Sequence, residues 1–587
     1  MSVRYFSEVS TISMREIRLK QPDVYMEIYN QWLESDYFDA DTKKELKNIK
    51  GNEKEIEDRF YTDLEFGTAG LRGIIAAGTN RINIYTVRRA TFGLANYIIK
   101  NTTEEEKERR VVIAHDNRHM SREFCLEAAN TLAACGIKAY IFDSLRTTPE
   151  LSFAVRKLHT IAGIVITASH NPPEYNGYKV YWEDGAQVMP EIASAITAEV
   201  NAITDYSTIP TIKDEQKDLV VMLDDKQDTA FIEAVKTQVI KTELVKKVGK
   251  EFKIVYTPLC GTGNVPVTRA LAEVGFENVI VVPEEQNPDP NFAGIEYPNP
   301  EEHKALTRGI ALAKAEGADL VIATDPDCDR VGVAVKTTTG DYALLTGNQI
   351  GAMLTNYIIE SSKEENKLDP KATLVKTIVT SEFGADIARA NNLDVINVLT
   401  GFKFIGQKIK SFEESGDRTY LFGYEESYGY LVGTHARDKD GVVASLLISE
   451  MAAYYYDKGM SLYEGLQELY KKYGYFKEKT ISLTLKGIEG LAKIKEIITY
   501  FRENDIKEFN NTKVVDLKDY QKGIDDLPKS NVLKYFLEDG SWIAVRPSGT
   551  EPKLKFYVAV KGQDESECAG KIANIESDIN KIIDQVK

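Results

Sequence analysis

Short runs of consecutive apolar, mostly β-branched residues recur along the chain and alternate with helical patterns. Such runs are RRVVIAHD, KAYIFD, IAGIVITAS, FKIVYTP, ENVIVVP and ADLVIATD. Between the first two lies REFCLEAANTLAACG, whose apolar residues recur at helical spacing. Strands that are apolar throughout are typical of parallel sheets, which helices cover on both faces. The pattern therefore predicts α/β domains.

The two ends of the chain are patterned differently. Residues 1–20 have little periodicity and are interpreted as an N-terminal extension, whereas the spacing from Val24 to Leu46 predicts helices, the second capped by Asp41. The C-terminal part mixes strands (KTISLTL, WIAVRP and KLKFYVAV) with a closing helix, CAGKIANIESDINKIIDQV. This mixture predicts a C-terminal α+β domain.

Three segments mark the predicted domain boundaries: a polar segment without a clear core face, the sequence TTTGD after a strand, and the helix-like LYEGLQELYKKYG. They lie at residues 201–218, near 336–341 and near 460–475. The predicted organisation is the extension (1–20) followed by four domains at 21–210, 211–336, 337–465 and 466–587. A length of 587 residues agrees with about four domains of roughly 150 residues each.

Composition and charge exclude several classes of protein. Hydrophobic residues make up 43% and charged residues 28% of the chain, as in ordinary globular proteins. No stretch approaches the roughly 18 consecutive apolar residues that a membrane span needs. The 73 basic and 90 acidic residues give a net charge of -17, which disfavours nucleic-acid binding but allows small anionic substrates in a local basic pocket.

The cysteines and the N-terminal sequence indicate the cellular compartment in which the protein is expected. The five cysteines are scattered and include no Cys-x-x-Cys pair, so neither a disulfide framework nor a zinc ribbon is expected. The N-terminal sequence lacks the apolar segment of a secretory signal. We therefore expect a reducing compartment and a cytoplasmic location.

The segment ITASHNPPEYNGYKVY (166–181) carries a small nucleophile where an apolar strand ends. Ser169 and His170 lie at the carboxyl end of that strand, where ligand sites of α/β proteins are usually found. An Asn-Gly turn then returns the chain past the serine and brings Lys179 near it. A Ser-His pair alone is more often a polar turn, and because no Gly-x-Ser-x-Gly elbow is present, an esterase triad is disfavoured.

The segment TDPDCDR (324–330) has the composition of a site for a hard cation. Its carboxylates follow a buried strand at alternate positions and are Asp325, Asp327 and Asp329. They repel one another unless a cation neutralises them, and oxygen ligands alone favour magnesium. An EF-hand is excluded because its glycine position holds Arg330 and its last position Lys336. A solvated acidic turn is the remaining alternative, disfavoured by the apolar strand before it.

The segment VRPSGTEPKLKFY (545–557) has the composition of a phosphate cradle. Arg546 offers a bidentate fork, Ser548 and Thr550 offer hydroxyl groups, and Gly549 lets backbone N–H groups approach an anion. No Walker A sequence occurs in the chain. Taken alone, the segment is also compatible with a plain hairpin turn.

The segment FGYEESYGYLVGTHARDKDG (422–441) combines carboxylates with cations. Glu425 and Ser427 suit the vicinal hydroxyls of a sugar, and His435 and Lys439 suit an attached phosphate.

Three further segments contain glycine-rich turns or strand ends that carry a polar side chain. They are LTGFKFIG (399–406), FGTAGLRG (66–73) with Arg72, and AHDNRHMS (114–121) with Arg118.

Together these motifs resemble those of the α-D-phosphohexomutases, on the phosphoglucomutase branch that includes phosphopentomutase-like members. GTAGLRG, TASHNPPEYNGYK, DPDCDR, TGFKFIG with YEESYG, and RPSGTEPKLKFY follow the order of that family between residues 66 and 557. The resemblance implies a heart-shaped molecule of four domains around a central cleft. Three would be α/β domains with mixed sheets, and the C-terminal one an α+β domain.

The resemblance also implies an activity. The expected enzyme is an isomerase of carbohydrate metabolism, an intramolecular phosphotransferase that interconverts glucose 1-phosphate and glucose 6-phosphate. It would use a phosphoserine and a glucose 1,6-bisphosphate intermediate. The alternatives are phosphomannomutase or phosphopentomutase activity, or sugar-phosphate binding without catalysis. A sugar phosphatase is disfavoured because it needs no second phosphate site.

Roles for individual residues follow from the resemblance alone. The implied catalytic residues are Ser169 as the phosphoserine, Lys179 and His435 as acid/base candidates, Arg72 and His170. The implied ligands of magnesium are Asp325, Asp327 and Asp329 together with phosphorylated Ser169. The implied substrate-binding residues are Arg330, Thr400, Gly401, Glu425, Ser427, Lys439, Arg546, Ser548, Gly549 and Thr550. Cys328 departs from the small residue that many relatives have there.

The expected cofactors are Mg²⁺ and glucose 1,6-bisphosphate, the latter as activator or intermediate. The expected partners are small sugar phosphates, with no nucleic acid and no membrane, and the chain would act as a monomer or homodimer. The YEESYG sequence resembles phosphoglucomutases more than dual-specificity phosphomannomutases, which favours glucose phosphates as substrates.

Overall fold

The computed structural model describes residues 22–67, 70–102, 109–485, 487–547 and 553–586. The extension predicted for residues 1–20 lies outside the described residues. The first helices are α1 (Pro22–Glu34), α2 (Ala40–Asn48) and α3 (Glu53–Phe60). The cap of α2 is Asp39, whose carboxylate accepts a hydrogen bond from the Thr42 N–H at 2.7 Å. The prediction that Asp41 caps this helix is wrong.

The first domain is built on a six-stranded mixed sheet. Its strands are β1 (Gly70–Ile74), β2 (Arg110–His115), β3 (Lys138–Phe142), β4 (Ala162–Ile166), β5 (Tyr175–Trp182) and β6 (Val220–Leu223). Its helices are α4 (Ile84–Asn101), α5 (Ser121–Ala134), α6 (Thr148–Lys157) and α7 (Pro190–Ala202). The strand order is β1-β5-β4-β2-β3-β6, in which β4, β2, β3 and β6 run parallel to one another and β5 pairs antiparallel with both β4 and β1. Strand β6 lies beyond residue 210, where the polar segment ended the predicted domain.

The second domain has a five-stranded mixed sheet in the order β11-β10-β9-β7-β8. Its strands are β7 (Ile254–Thr257), β8 (Val279–Val281), β9 (Leu320–Thr324), β10 (Val331–Lys336) and β11 (Tyr342–Leu345). Its helices are α8 (Lys226–Lys236), α9 (Thr242–Val248), α10 (Asn264–Val274) and α11 (Thr307–Glu316). Strands β9 and β10 pair antiparallel, so the aspartate-rich segment between them forms a hairpin loop. The sheet extends past residue 336 because β11 pairs with β10.

The third domain has a four-stranded sheet in the order β13-β12-β14-β15. Its strands are β12 (Ala372–Thr377), β13 (Asp394–Val398), β14 (Thr419–Glu425) and β15 (Gly429–Leu431). Its helices are α12 (Gly347–Glu364), α13 (Glu382–Ala390), α14 (Phe402–Ser415), α15 (Gly441–Asp457) and α16 (Leu462–Tyr473). The boundary predicted at residue 465 falls within α16. Helix α15 is buried on nearly all sides because it packs between the second and third domains.

The C-terminal domain has an antiparallel sheet in the order β16-β21-β20-β19-β18-β17. Its strands are β16 (Tyr475–Thr484), β17 (Glu508–Phe509), β18 (Thr512–Asp519), β19 (Leu533–Leu537), β20 (Trp542–Pro547) and β21 (Lys553–Gly562). Its helices are α17 (Gly487–Glu503) and α18 (Glu565–Gln585). Apolar side chains from both helices and from the sheet form one buried cluster. The predicted α+β character of this domain is confirmed.

Neighbouring domains pack against one another through buried apolar side chains. One hydrophobic cluster extends from Val267 in the second domain through Leu447 in the third to Trp542 in the fourth. The predicted fold class, three α/β domains with mixed sheets followed by an α+β domain, is confirmed. Among the described residues, none of the helices has the length and apolar character that crossing a membrane requires.

Candidate active site

Ser169 lies in the loop that follows β4, here called the serine loop (residues 167–175). Its φ of +53° is in the left-handed region that non-glycine residues seldom adopt. The Thr167 hydroxyl supports this turn by accepting the Ser169 N–H at 2.9 Å. The Ser169 hydroxyl in turn donates to Asp325 Oδ2 at 2.9 Å and lies 3.2 Å from His170 Nδ1. The end of a strand in one domain thus presents a hydroxyl group to a carboxylate of the next domain.

The three aspartates lie in the hairpin between β9 and β10, here called the aspartate loop (residues 325–330). Their side chains are buried, and one ligand oxygen from each lies within 4.8 Å of the others. Burial and the charges of Asp327 and Asp329 raise the pKa of Asp325 well above its usual range. Asp327 Oδ1 and Asp329 Oδ1 are buried without a hydrogen-bond partner in the described part of the chain. Unpaired buried carboxylate oxygens at this spacing fit a divalent cation.

Two lysines from different domains approach the aspartate loop. Lys179 Nζ lies 2.8 Å from Asp327 Oδ2, and Lys439 Nζ lies 3.2 Å from Asp329 Oδ2. Burial alone would lower the pKa of both lysines, but the facing carboxylates outweigh it and raise both pKa values. Both side chains are therefore ammonium ions suited to neutralising phosphate charge.

Sequence reasoning missed the groups that hold these charges in place. The Thr148 hydroxyl donates to Asp327 Oδ2 at 2.9 Å, and the Tyr181 hydroxyl donates to Asp438 Oδ2 at 2.7 Å. Asp438 Oδ1 accepts from Lys439 Nζ at 2.9 Å. Of these residues, only Asp438 has a signal in the sequence, namely its position beside Lys439. Thr148 and Tyr181 have none, because each contacts a residue in a distant part of the chain.

Arg330 connects the aspartate loop with the loop after β14, here called the glutamate loop (residues 425–429). Its backbone N–H donates to Asp325 Oδ1 at 2.9 Å, and its backbone forms a bridge with Gly429. Its guanidinium pairs with Glu301, a residue that sequence reasoning missed. A substrate phosphate bound by Arg330 would have to compete with this carboxylate.

Glu425 ends β14 and faces the start of α14. Its Oε1 accepts the Gly401 N–H at 2.9 Å, and Gly401 has a φ of +118°, which favours glycine. Burial raises the pKa of Glu425 to about 7, although Lys439 acts in the opposite direction. Thr400 Oγ1 is buried and has no hydrogen-bond partner within the described residues. Ser427 lies in the same loop, so the residues predicted to bind sugar converge here.

The remaining predicted catalytic residues differ in their surroundings. Arg72 is exposed and donates to Asn171 Oδ1 of the serine loop at 3.1 Å. Burial, with the charges of Arg330 and Arg72, lowers the pKa of His170 to about 2. His435 Nε2 lies 2.7 Å from Asp440 Oδ2. The contacts of His435 within the described residues do not reach the aspartate triad, and its acid/base role stays a prediction.

The structure describes Arg546 of the predicted phosphate cradle but not the three residues that follow Pro547 in the motif. Arg546 lies near the end of β20, opposite Lys555 on β21. Burial and then the charge of Arg546 lower the pKa of Lys555, while Glu426 and Glu301 act in the opposite direction. This end of the C-terminal sheet therefore faces the glutamate loop. Ser548, Gly549 and Thr550 lie outside the described residues.

Comparison with known proteins places these features in a family. The phosphoglucomutase/phosphomannomutase models of α/β/α domains I, II and III match residues 63–207, 229–340 and 346–473, and the C-terminal domain model matches 502–573. The chain belongs to the phosphoglucomutase/phosphomannomutase family. A phosphoglucomutase of Staphylococcus aureus is 38% identical over 548 residues, which are 90% of this chain and 95% of the relative. One of Staphylococcus epidermidis is 36% identical over 557 residues, 92% of this chain and 98% of the relative.

Solved structures of the family share the fold. Parafusin, a phosphoglucomutase from Paramecium in its open form, has a TM-score of 0.69 at 20% identity and covers 90% of this chain and 96% of its own. A family protein from Burkholderia thailandensis has a TM-score of 0.63 at 18% identity and covers 88% of this chain and 97% of its own. The family models and the relatives named phosphoglucomutase confirm the resemblance drawn from the motifs, and the chain is an enzyme, a mutase of the isomerase class.

Proposed function

We propose that this family member is an α-phosphoglucomutase that works through a phosphoserine at Ser169. It would interconvert glucose 1-phosphate and glucose 6-phosphate with glucose 1,6-bisphosphate as the intermediate. The observation that carries the proposal is the 2.9 Å contact between Ser169 Oγ and Asp325 Oδ2, which sets a hydroxyl against a buried carboxylate triad. The relatives at 36% to 38% identity are named phosphoglucomutase.

The aspartate triad is proposed to hold Mg²⁺ together with the phosphate on Ser169. The donors are carboxylate oxygens, which this ion prefers, and two of these oxygens lack any other partner among the described residues. An N-acetylphosphoglucosamine mutase from Aspergillus fumigatus with this fold, at a TM-score of 0.50 and 13% identity, was solved with GlcNAc-6P and magnesium. When bound, the ion would offset negative charge on the reacting phosphoryl group.

The rest of the chemistry is positioning and charge neutralisation, as in-line phosphoryl transfer requires. The phosphoserine gives its phosphoryl group to the free hydroxyl of the bound sugar phosphate. The proton of that hydroxyl passes to an enzyme base, and the released Ser169 oxygen takes a proton from an enzyme acid. Lys179 and Lys439 are placed to neutralise charge beside the reacting group. Lys179, as an ammonium ion, is the candidate acid, and His435 is the candidate base.

The bisphosphate then turns end for end, so that its other phosphate returns to Ser169 and the isomerised monophosphate leaves. Two anion sites are needed because one phosphate is always idle. Arg546 with Ser548, Gly549 and Thr550 is proposed to hold the idle phosphate. Glu425 and Ser427 are proposed to bind the 3- and 4-hydroxyls, which keep their relationship when the sugar turns.

The test is the intact mass of the protein before and after incubation with glucose 1,6-bisphosphate. Wild type should gain one phosphoryl group and Ser169→Ala should gain none and show no mutase turnover. Ser144→Ala is the control because, within the described part of the chain, this exposed hydroxyl hydrogen-bonds to its neighbours Asp143 and Arg146 alone. More than a few per cent of wild-type turnover in Ser169→Ala would contradict the covalent assignment.

A further inference from the structure

Arg118 is a buried arginine whose side chain faces the serine loop. It follows β2, and its residue is 3% exposed. Nη2 donates to the carbonyl oxygens of Ser169 and Asn171, both at 2.5 Å. Nη1 donates to the carbonyl oxygens of Pro172 at 2.8 Å and Tyr175 at 3.2 Å. One guanidinium therefore binds four carbonyl groups of the loop that carries the nucleophile.

These contacts add to the backbone turn hydrogen bonds of the serine loop, which join Asn171 to Ala168 and Tyr175 to Pro172. The backbone of Ser169 is left-handed, a conformation that costs energy unless its surroundings fix it. The planar guanidinium has donors in a rigid fork, so it fixes the relative positions of the carbonyls that it binds. The charge of Arg118 is balanced by Asp116, 3.3 Å away, and by the face of Phe292, 4.9 Å from the guanidinium carbon.

The residue before Arg118 binds the second domain. Asn117 Nδ2 donates to the carbonyl oxygens of Cys260 at 2.8 Å and Asp289 at 2.9 Å. The segment that contains Cys260 also supports the aspartate loop, because the Thr262 hydroxyl donates to the Pro326 carbonyl at 2.9 Å. The end of β2 is thus connected to the serine loop on one side and to the aspartate loop on the other.

We infer that Arg118 is a positioning residue that holds the serine loop so that Ser169 Oγ faces the aspartate triad. Asn117 keeps the second domain aligned with the same strand end. The inference rests on the proposed function, because it takes the Ser169 hydroxyl as the reacting group. Arg118 acts on the reaction only through the backbone of the serine loop.

The first test is Arg118→Lys, which keeps the charge and loses the fork. A single ammonium group cannot occupy the positions of two guanidinium nitrogens that together bind four carbonyls. Misplacement of a reacting group by 1 Å can cost about 100-fold in rate, so we expect kcat to fall by about that factor. The KM for glucose 1-phosphate should stay within about three-fold, because the proposed sugar and idle-phosphate contacts lie in other domains.

Arg89→Lys is the matched control. Arg89 is buried in the same domain, donates to the Val200 carbonyl at 3.2 Å and pairs with Asp63 at 2.8 Å, away from the serine loop. The two variants should lose similar thermal stability, but only Arg118→Lys should lose kcat. Single-turnover phosphorylation of Ser169 by glucose 1,6-bisphosphate, followed by intact mass, should slow by the same factor as kcat.

Asn117→Ala provides a second test that does not depend on the folding of Arg118→Lys. We expect kcat to fall by about ten-fold with KM unchanged. The inference is overturned if the Arg118 variant retains kcat within about two-fold of wild type, or if its KM changes as much as its kcat. If Arg118→Lys does not fold, the Asn117→Ala result decides by the same criteria. Full turnover in Ser169→Ala would instead overturn the proposed function.

Discussion

Lys179 Nζ lies 2.8 Å from Asp327 Oδ2 and joins strand β5 of the first domain to the aspartate loop of the second. Lys439 from the third domain approaches Asp329 in the same way. Two ammonium ions thus face three carboxylates, which leaves one negative charge if all are ionised. A divalent cation would reverse that sign, so metal and the negatively charged phosphoserine are expected to stabilise each other in the site.

The first prediction concerns the metal. Asp327→Asn should lower turnover by roughly two orders of magnitude or more, because a lost carboxylate weakens Mg²⁺ binding and leaves phosphoryl charge uncompensated. Titration of activity with Mg²⁺ and calorimetric Mg²⁺ binding should both show weakened affinity. Asp341→Asn is the control, since this exposed aspartate of the same domain pairs with Lys314 at 2.8 Å and accepts the Tyr342 N–H. Full activity of EDTA-treated wild type would contradict a catalytic metal.

The second prediction concerns the idle phosphate. Arg546→Ala would remove the proposed charge-assisted bidentate contact with the phosphate, which should contribute ~1.5–3 kcal/mol. The KM for glucose 1-phosphate should therefore rise by roughly ten-fold or more. Arg502→Ala is the control in the same domain, because Arg502 contacts Asp519 and Asn531. A KM within about two-fold of wild type would show that Arg546 does not bind the substrate.

The third prediction concerns the pH dependence of stability. Glu450 on α15 is fully buried, and its Oε1 accepts the Ile240 N–H at 2.9 Å. Burial raises the pKa of Glu450 to about 7, above its ordinary value of 4.5. The folded chain therefore keeps a proton that the unfolded chain releases between these values. This contribution to the free energy of unfolding is complete below pH 4.5 and is lost as the pH rises through 7.

Glu450→Gln stays neutral and can still accept the backbone N–H, so it should lack this pH dependence. Relative to wild type, its free energy of unfolding should increase from pH 5 to pH 8 by up to about 3 kcal/mol. Denaturant unfolding at both pH values measures the difference. Glu468→Gln, at an exposed glutamate that pairs with Lys471, is the control. Parallel pH curves for wild type and Glu450→Gln would refute the prediction.

The local sequence pattern predicted most helices and strands. It failed where tertiary contacts decide between two possible caps of a helix or decide which strands join a sheet. Asp39 and Asp41 are both suitable caps for α2. The structure selects Asp39 because the Tyr85 hydroxyl, from helix α4 of the first domain, donates to its carboxylate at 2.9 Å. In the same way, β6 joins the first sheet only through pairing with β3, which its polar flanks do not reveal.

In the candidate site, too, the local motifs could be predicted from the sequence, whereas their long-range partners could not. Its motifs were recognisable because each is a short segment in which several polar residues follow a strand. The groups that align them were not, because their contacts span long separations. Thr148 is 179 residues from the Asp327 side chain that it binds, and Arg118 is 51 residues from the Ser169 carbonyl. Such partners are chosen by tertiary packing within and between domains, which no local pattern encodes.

The last prediction is the choice of sugar. Glucose and mannose phosphates differ only at C2, whereas Glu425 and Ser427 suit the 3- and 4-hydroxyls that both sugars share. These residues alone do not separate the epimers, and the preference for glucose 1-phosphate over mannose 1-phosphate rests on the likeness of YEESYG to phosphoglucomutases. Ribose or deoxyribose phosphates are expected to be weaker substrates.

Galactose phosphates should be poor substrates, because inversion at C4 leaves the buried Glu425 carboxylate without its donor at a cost of ~1–3 kcal/mol. The measurement is kcat/KM for glucose, mannose, galactose and ribose 1-phosphates on wild type and on Glu425→Gln. The variant keeps the acceptor for the Gly401 N–H, so a loss of kcat/KM reports on the sugar contact and not on the loop. Glucose should lead on wild type, and Glu425→Gln should reduce glucose and mannose alike. The assignment fails if mannose or a pentose phosphate exceeds glucose on wild type, or if Glu425→Gln leaves every value unchanged.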